Sequence, residues 1–271
     1  MRTGAFVMID ALGFKGIWKR QGVVDKPELV IEKLINLKDI AAQYLDKRFG
    51  GQEKRSQMEN DRGTPFELVQ ATFLSDTIVL AVAVKDLENT QLNELHLTGP
   101  NYTLASKVLA VDTLCDLTSK VVALGALTDP ALAYRGCLSF GQFEVRENFL
   151  VGPAVDEAAA ASELAQGAFI WMLPSALDLF MSYGVQKETH LRPDRTFSAW
   201  QVPLKGGDCF NTFAVSPLSL ARTEAERDLI HTRIMETFSG ELDVQIKKQH
   251  TLRFLDTCVA EWKSPLPGDG R

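Results

Sequence analysis

Two acids and two cations stand where apolar runs of this chain begin or end. In FVMIDALGFKG (Phe6–Gly16) four apolar residues lead to Asp10, and Leu12-Gly13-Phe14 follows. In FLSDTIVLA Asp76 falls between two apolar runs, in YRGCLSFGQF Arg135 opens one, and in WQVPLKGGDCF Lys205 closes one ahead of Gly206-Gly207. A carboxylate at the end of a buried strand is costly without a partner, and a divalent cation is such a partner because hard cations take oxygen ligands. A glycine lets the backbone approach closely, so the N–H groups of Gly13 and Phe14 can face a phosphate. If the strands carrying Asp10 and Asp76 are neighbours, their carboxylates converge into a pair able to hold two metals about 3.5–4 Å apart and clamp a phosphoryl group. The forked donors of Arg135 suit a polyphosphate, and Lys205 adds a second cation. Each residue also has a plainer reading. Asp10 caps a helix starting near residue 12, Asp76 is a turn residue, Arg135 is a solvated edge residue, and Lys205 is an exposed turn lysine.

The elements that must position these groups follow from periodicity. Residues 5–9 predict a buried strand bounded by Gly4 and Asp10. A helix is expected from about Lys26-Pro27-Glu28 to Lys47, then a polar loop over 49–65. Residues 66–84 predict two strands bent at Ser75-Asp76, and 102–124 a helix. Residues 131–145 predict a strand or long hairpin, the Ala-rich 152–166 a helix with Gly-Pro at its start, and 168–172 a further strand. A helix follows Pro174 to about Tyr183, two strands flank a glycine turn over 197–217, and Glu224 to Trp262 holds two helical segments. The β-α-β-β-α-β order predicts an α+β fold with a ferredoxin-like or palm-type core carrying extra C-terminal helices, divided into 1–217 and a helical extension, 218–271.

Composition excludes several roles. The 271 residues are 45% hydrophobic and 24% charged with a net charge of −6, a soluble globular profile that argues against duplex nucleic acid and anionic lipid as partners. No apolar run reaches the ~20 residues of a membrane span, and MRTGAFVMID does not read as a signal peptide. Cys115, Cys137, Cys209 and Cys258 lack CxxC spacing, so a reducing, cytoplasmic setting is expected.

Taken in order, FVMIDALGFK, FLSDTIVLA, RGCLSFGQF and FLVGPAVDEAAAASELA resemble the motifs of the class III nucleotidyl cyclase domain over residues 5–215 or so. DALGFK, SDTIV and VPLKGG look most like the pyrimidine cyclases of bacterial Pycsar antiphage systems. This resemblance implies that Asp10 and Asp76 bind two Mn²⁺ or Mg²⁺ ions with help from the Ala11 carbonyl. It implies that Gly13 and Phe14 cradle a triphosphate, that Arg135 holds its outer phosphates, and that Lys205 does the same from the partner of a head-to-tail homodimer with shared sites. The positions that read a purine base in the family fall at Thr72 and Phe149, neither of them charged, which favours a pyrimidine: UTP first, CTP as the alternative. The family's transition-state Asn and Arg fall at Asp156 and Ala160. The loss of that Arg leaves open a nucleotide sensor without turnover. The product would be a cyclic nucleotide read by a separate effector in antiviral defence. GGDCF (206–210) is also similar to the GGDEF signature of diguanylate cyclases, but it comes late in the chain and lacks the Glu.

Overall fold

The computed structural model describes residues 1–12, 32, 35, 66–74, 77–85, 99–146, 149–186, 196–219, 221–238 and 240–263. Its strands are β1 (Arg2–Leu12), β2 (Phe66–Leu74), β3 (Thr77–Val84), β4 (Ala133–Arg146), β5 (Phe149–Val151), β6 (Ile170–Met172), β7 (Phe197–Pro203) and β8 (Cys209–Val215). Its helices are α1 (Gly99–Ala126), α2 (Pro153–Ala161), α3 (Pro174–Gln186), α4 (Glu224–Glu236) and α5 (Leu242–Lys263). Of the helix expected over 26–47, Glu32 and Ile35 are described, and both are helical. The polar segment at 49–65 lies outside the described residues.

The strands form one sheet in the order β2-β3-β1-β4-β6-β8-β7, with β5 paired to β4. β1 lies antiparallel between β3 and β4, and β2 is antiparallel to β3. β3 and β4 are therefore parallel to each other with β1 inserted between them, and α1 is their crossover. That split β-α-β arrangement is the ferredoxin-like core expected from the element order, and the fold is α+β.

β1 explains its own composition. Ala5, Val7, Ile9 and Ala11 face a cluster with Leu80 and Val82 of β3, Leu114 of α1 and Phe180 of α3. Phe6 faces the other way, into a cluster with Val79, Phe143, Ala158 of α2, Ile230 of α4 and Phe254 of α5. A strand covered on both faces reads as a continuous apolar run rather than an alternating one. The C-terminal helices share that second cluster with the sheet; Phe254 packs edge-on to Phe169 at 5.6 Å between ring centroids. α4 starts on a capping box between Thr223 and Glu226, the two-way pairing of end groups that fixes a helix start.

Several expected boundaries move. The strand expected at 5–9 runs from Arg2 to Leu12, held on its full length by β4. The segment expected at 131–145 as a strand or long hairpin forms one long strand, Ala133–Arg146, for the same reason. The helix expected over 152–166 ends at Ala161. Beyond it, Gln166 N–H donates to Pro203 O at 2.8 Å and Ala165 bridges Leu204, so strand-like pairing overrides the helical propensity of the alanines.

All four cysteines are free, and Cys209 alone is exposed. Burial pushes the Cys137 thiol far up, with the Glu157 and Asp10 carboxylates adding to it. Because the thiolate is the reactive form, a native-state titration with a thiol reagent is expected to modify one cysteine of four, and mass spectrometry is expected to find the label on Cys209. No helix among the described residues is long and apolar enough to cross a membrane.

Candidate active site

β1 places Asp10 between two neighbours. Its Cα partners are Thr77 on β3 and Arg135 on β4, and directly paired residues of an antiparallel ladder project to the same face. Asp10 is half-buried, on the face of the sheet that also carries Phe6 and Cys137. Its Oδ1 accepts a hydrogen bond from the Thr77 hydroxyl, while Oδ2 receives none from any described residue. β1 continues two residues past Asp10. This overturns the alternative in which Asp10 caps a helix starting near residue 12.

Arg135 is the unusual member of the row. Its side chain is 15% exposed, and among the described residues it forms an ion pair with Glu163, whose Oε1 is 3.7 Å from Nη2. That is an ion pair beyond hydrogen-bonding distance. Nε is buried with no hydrogen-bond partner among the described residues. A buried donor without an acceptor is costly, and no ion pair links Arg135 to its cross-strand neighbour Asp10. Among the described residues only Glu163 brings a carboxylate within ion-pair distance of the fork, and forked donors suit an anion with better-placed acceptors.

Glu163 also reaches Lys205, whose Nζ is 3.6 Å from Oε2. Lys205 ends the β7 side of the β7–β8 connection, which turns on Gly206 and Gly207 at φ of 98° and 95°. This left-handed backbone favours glycine. The Lys205 N–H donates to Leu164 O at 2.8 Å, tying the turn to the segment after α2. Arg135 and Lys205 of one chain therefore lie at the same carboxylate, where the sequence resemblance implied a lysine from the partner.

The other expected residues divide. Thr72, nearly buried, pairs with Val79, which pairs with Met8; this puts it two strands from β1 and one row along from Asp10. Its hydroxyl accepts from the Gln70 side chain at 3.3 Å. Ala11 pairs with Tyr134 next to the Asp10 row. Asp156 stands exposed in the first turn of α2, and Ala160 is exposed in its last turn. Phe149 is 74% exposed and pairs with Arg146 at the far end of β4. It sits on the order of 35 Å along the strand from Arg135 at ~3.3 Å per residue, so one chain does not bring the two together. Gly13, Phe14 and Asp76 lie outside the described residues; Asp76 immediately precedes Thr77 in the chain.

Thr77 and Glu163 escaped the sequence reading. Thr77 follows Asp76 in SDTIV, and its pairing with Asp10 could have been read from the hairpin. Glu163 follows an alanine run with nothing to distinguish it from a solvated helix end. Among the described residues no group of three or more His, Cys, Asp or Glu side chains forms a ready metal nest. The donors in the Asp10 row, a half-buried carboxylate and a hydroxyl, are hard oxygen ligands that suit Mg²⁺ or Mn²⁺.

No protein-family model matches the chain, and no curated protein matches it. Among solved structures, the chain is similar to the crystal structure of the catalytic core of a rhodopsin-guanylyl cyclase with converted specificity in complex with ATPalphaS. The two are 13% identical with a TM-score of 0.45, and the match covers 79% of this chain and 95% of that chain.

Proposed function

We propose that the protein is a metal-dependent nucleotidyl cyclase that converts a pyrimidine nucleoside triphosphate, UTP before CTP, to its 3′,5′-cyclic monophosphate and pyrophosphate. The observation that carries this reading is Arg135, its side chain mostly buried, its Nε donating to no described acceptor, and its place beside Asp10. A cation and an oxygen ligand side by side at the end of a sheet suit a polyphosphate bound with a divalent ion. The ordered cyclase-like motifs of the sequence support cyclisation as the reaction.

In this reading Asp10 and Asp76, with the Ala11 carbonyl, hold two divalent cations. When bound, those cations neutralise charge on the triphosphate and acidify the ribose 3′-hydroxyl. The chain does the rest by positioning. Arg135 and Lys205 hold the outer phosphates, and the N–H groups of Gly13 and Phe14 cradle them. The 3′-oxygen then faces the α-phosphorus in line with the departing pyrophosphate. Thr77 holds the Asp10 carboxylate in one orientation, leaving Oδ2 for a metal. Thr72, Phe149 and Asp156 are the proposed contacts to the nucleoside. Phe149 and Asp156 would serve a site on a second copy, because their own chain holds Phe149 at the far end of β4. The cyclic product would act through a separate effector in defence against phage.

The test is direct. Purified protein with Mn²⁺ is incubated with each of ATP, GTP, CTP and UTP, and the products are separated. A cyclic pyrimidine monophosphate supports the reading, and no product from well-folded protein overturns it. Ala160 favours a second reading, metal-dependent nucleotide binding without turnover; tight binding of UTP or CTP with no product would select it. Thr77→Val is expected to lower kcat/KM by about ten- to a hundredfold, since a hydrogen bond to a charged acceptor contributes roughly 1.5–3 kcal/mol. Steady-state kinetics at saturating Mn²⁺ checks this, and an unchanged value would remove Thr77 from the site.

A further inference from the structure

Glu163 stands between the two cations that the proposed function gives to the phosphates. We propose that Glu163 is a resident counter-ion of the phosphate subsite: its carboxylate occupies the place of an outer phosphate, and a polyphosphate ligand displaces it. The inference rests on the proposed role of Arg135 and Lys205 and assigns a role to a residue outside that set.

Three observations support it. First, one carboxylate serves both cations, with Oε1 3.7 Å from Arg135 Nη2 and Oε2 3.6 Å from Lys205 Nζ. Two oxygens on one centre is also what a phosphoryl group would offer. Second, both pairs lie beyond hydrogen-bonding distance and the Glu163 side chain is 69% exposed. Such long, solvated ion pairs are weak and easily broken. Third, the main chain around Glu163 is tied down while its side chain is not. Lys205 N–H donates to Leu164 O and Gln166 N–H donates to Pro203 O, both at 2.8 Å. Exchange of Glu163 for a phosphate therefore needs a side-chain rotation and no movement of the β7–β8 turn.

The sign of the effect follows. A ligand entering the site must displace a negative charge or lie beside it, and either weakens the binding of an anion. The same carboxylate returns to Arg135 and Lys205 when the anion leaves, which favours release of pyrophosphate after turnover. Glu163 thus tunes affinity at the subsite and is a positioning residue for the two cations, not a group that reacts.

The test uses inorganic tripolyphosphate, without metal, in isothermal titration calorimetry at low salt on the full chain. Glu163→Gln is expected to bind it about three- to tenfold more tightly than the wild type, the gain shrinking at high salt as screening takes over. Glu163→Asp, which keeps the charge, is expected to stay within about twofold of the wild type. Because Glu163 is exposed, these variants are expected to keep the wild-type fold, which circular dichroism checks. Wild-type binding that Glu163→Gln leaves unchanged or weakens overturns this inference alone. If neither protein binds tripolyphosphate, the assignment of Arg135 and Lys205 to phosphates falls with it.

Discussion

Asp10→Asn is expected to remove metal-dependent turnover, lowering kcat/KM on the order of a thousandfold while the fold survives. Asparagine keeps the size of the side chain and an oxygen that can accept from the Thr77 hydroxyl, so the row of β3, β1 and β4 residues stays in register. What is lost is the negative charge, and a neutral amide is a poor ligand for a hard divalent cation. Electrostatic stabilisation by a metal is among the largest contributions to phosphoryl transfer. The apo variant is expected to melt no lower than the wild type, because a half-buried carboxylate with a single described hydrogen bond is exchanged for a neutral group. Kinetics with Mn²⁺ and UTP or CTP, paired with thermal melts, separate the two effects. A variant that turns over normally would show that Asp10 is not a metal ligand.

Gly136→Ala is expected to unfold the protein under ordinary conditions. A Cβ at Gly136 would sit 2.1 Å from the Met8 carbonyl oxygen and 2.8 Å from the Ile9 Cα. These are backbone atoms of β1, so no side-chain rotation relieves the overlap. β1 and β4 would have to separate at the step next to the Asp10–Arg135 pair, in the most extensive strand pairing among the described residues. The expected loss is more than about 4 kcal/mol, in the range of severe core overpacking, and urea denaturation or loss to the insoluble fraction reads it. Gly207→Ala provides the contrast. No described atom lies within 4 Å of its added Cβ, and its φ of +95° resists substitution, so its cost is expected to stay in the 1–3 kcal/mol range of backbone strain. Equal stability of the two variants would contradict the close approach of β1 and β4.

Much of this architecture is legible in the sequence. The apolar run Phe6–Ile9, the paired runs on either side of Ser75-Asp76, and the glycine turn at Gly206-Gly207 all declare their elements through local chemistry. Period, run length and glycine conformations act over a few residues, which one sequence displays in full. The element order then yields the α+β core, because few topologies can accommodate it. Local chemistry misplaced the limits of β1 and α2. Their ends are set by pairing with β4 and with the end of β7, and a partner strand leaves no mark on the residues it covers.

The site divides along the same line. Asp10, Arg135 and Lys205 stood out as charged residues at the ends of apolar runs, and the order of their motifs suggested phosphate chemistry. Their mutual placement was not visible there. Antiparallel register sets Asp10 opposite both Thr77 and Arg135, and the docking of the post-α2 turn on β7 brings Glu163 to Arg135 and Lys205 at once. Register and docking come from the burial of two whole faces of the sheet, a sum over scores of side chains far apart in the chain. Residue types therefore announced the chemistry, while packing chose which carboxylate meets which cation.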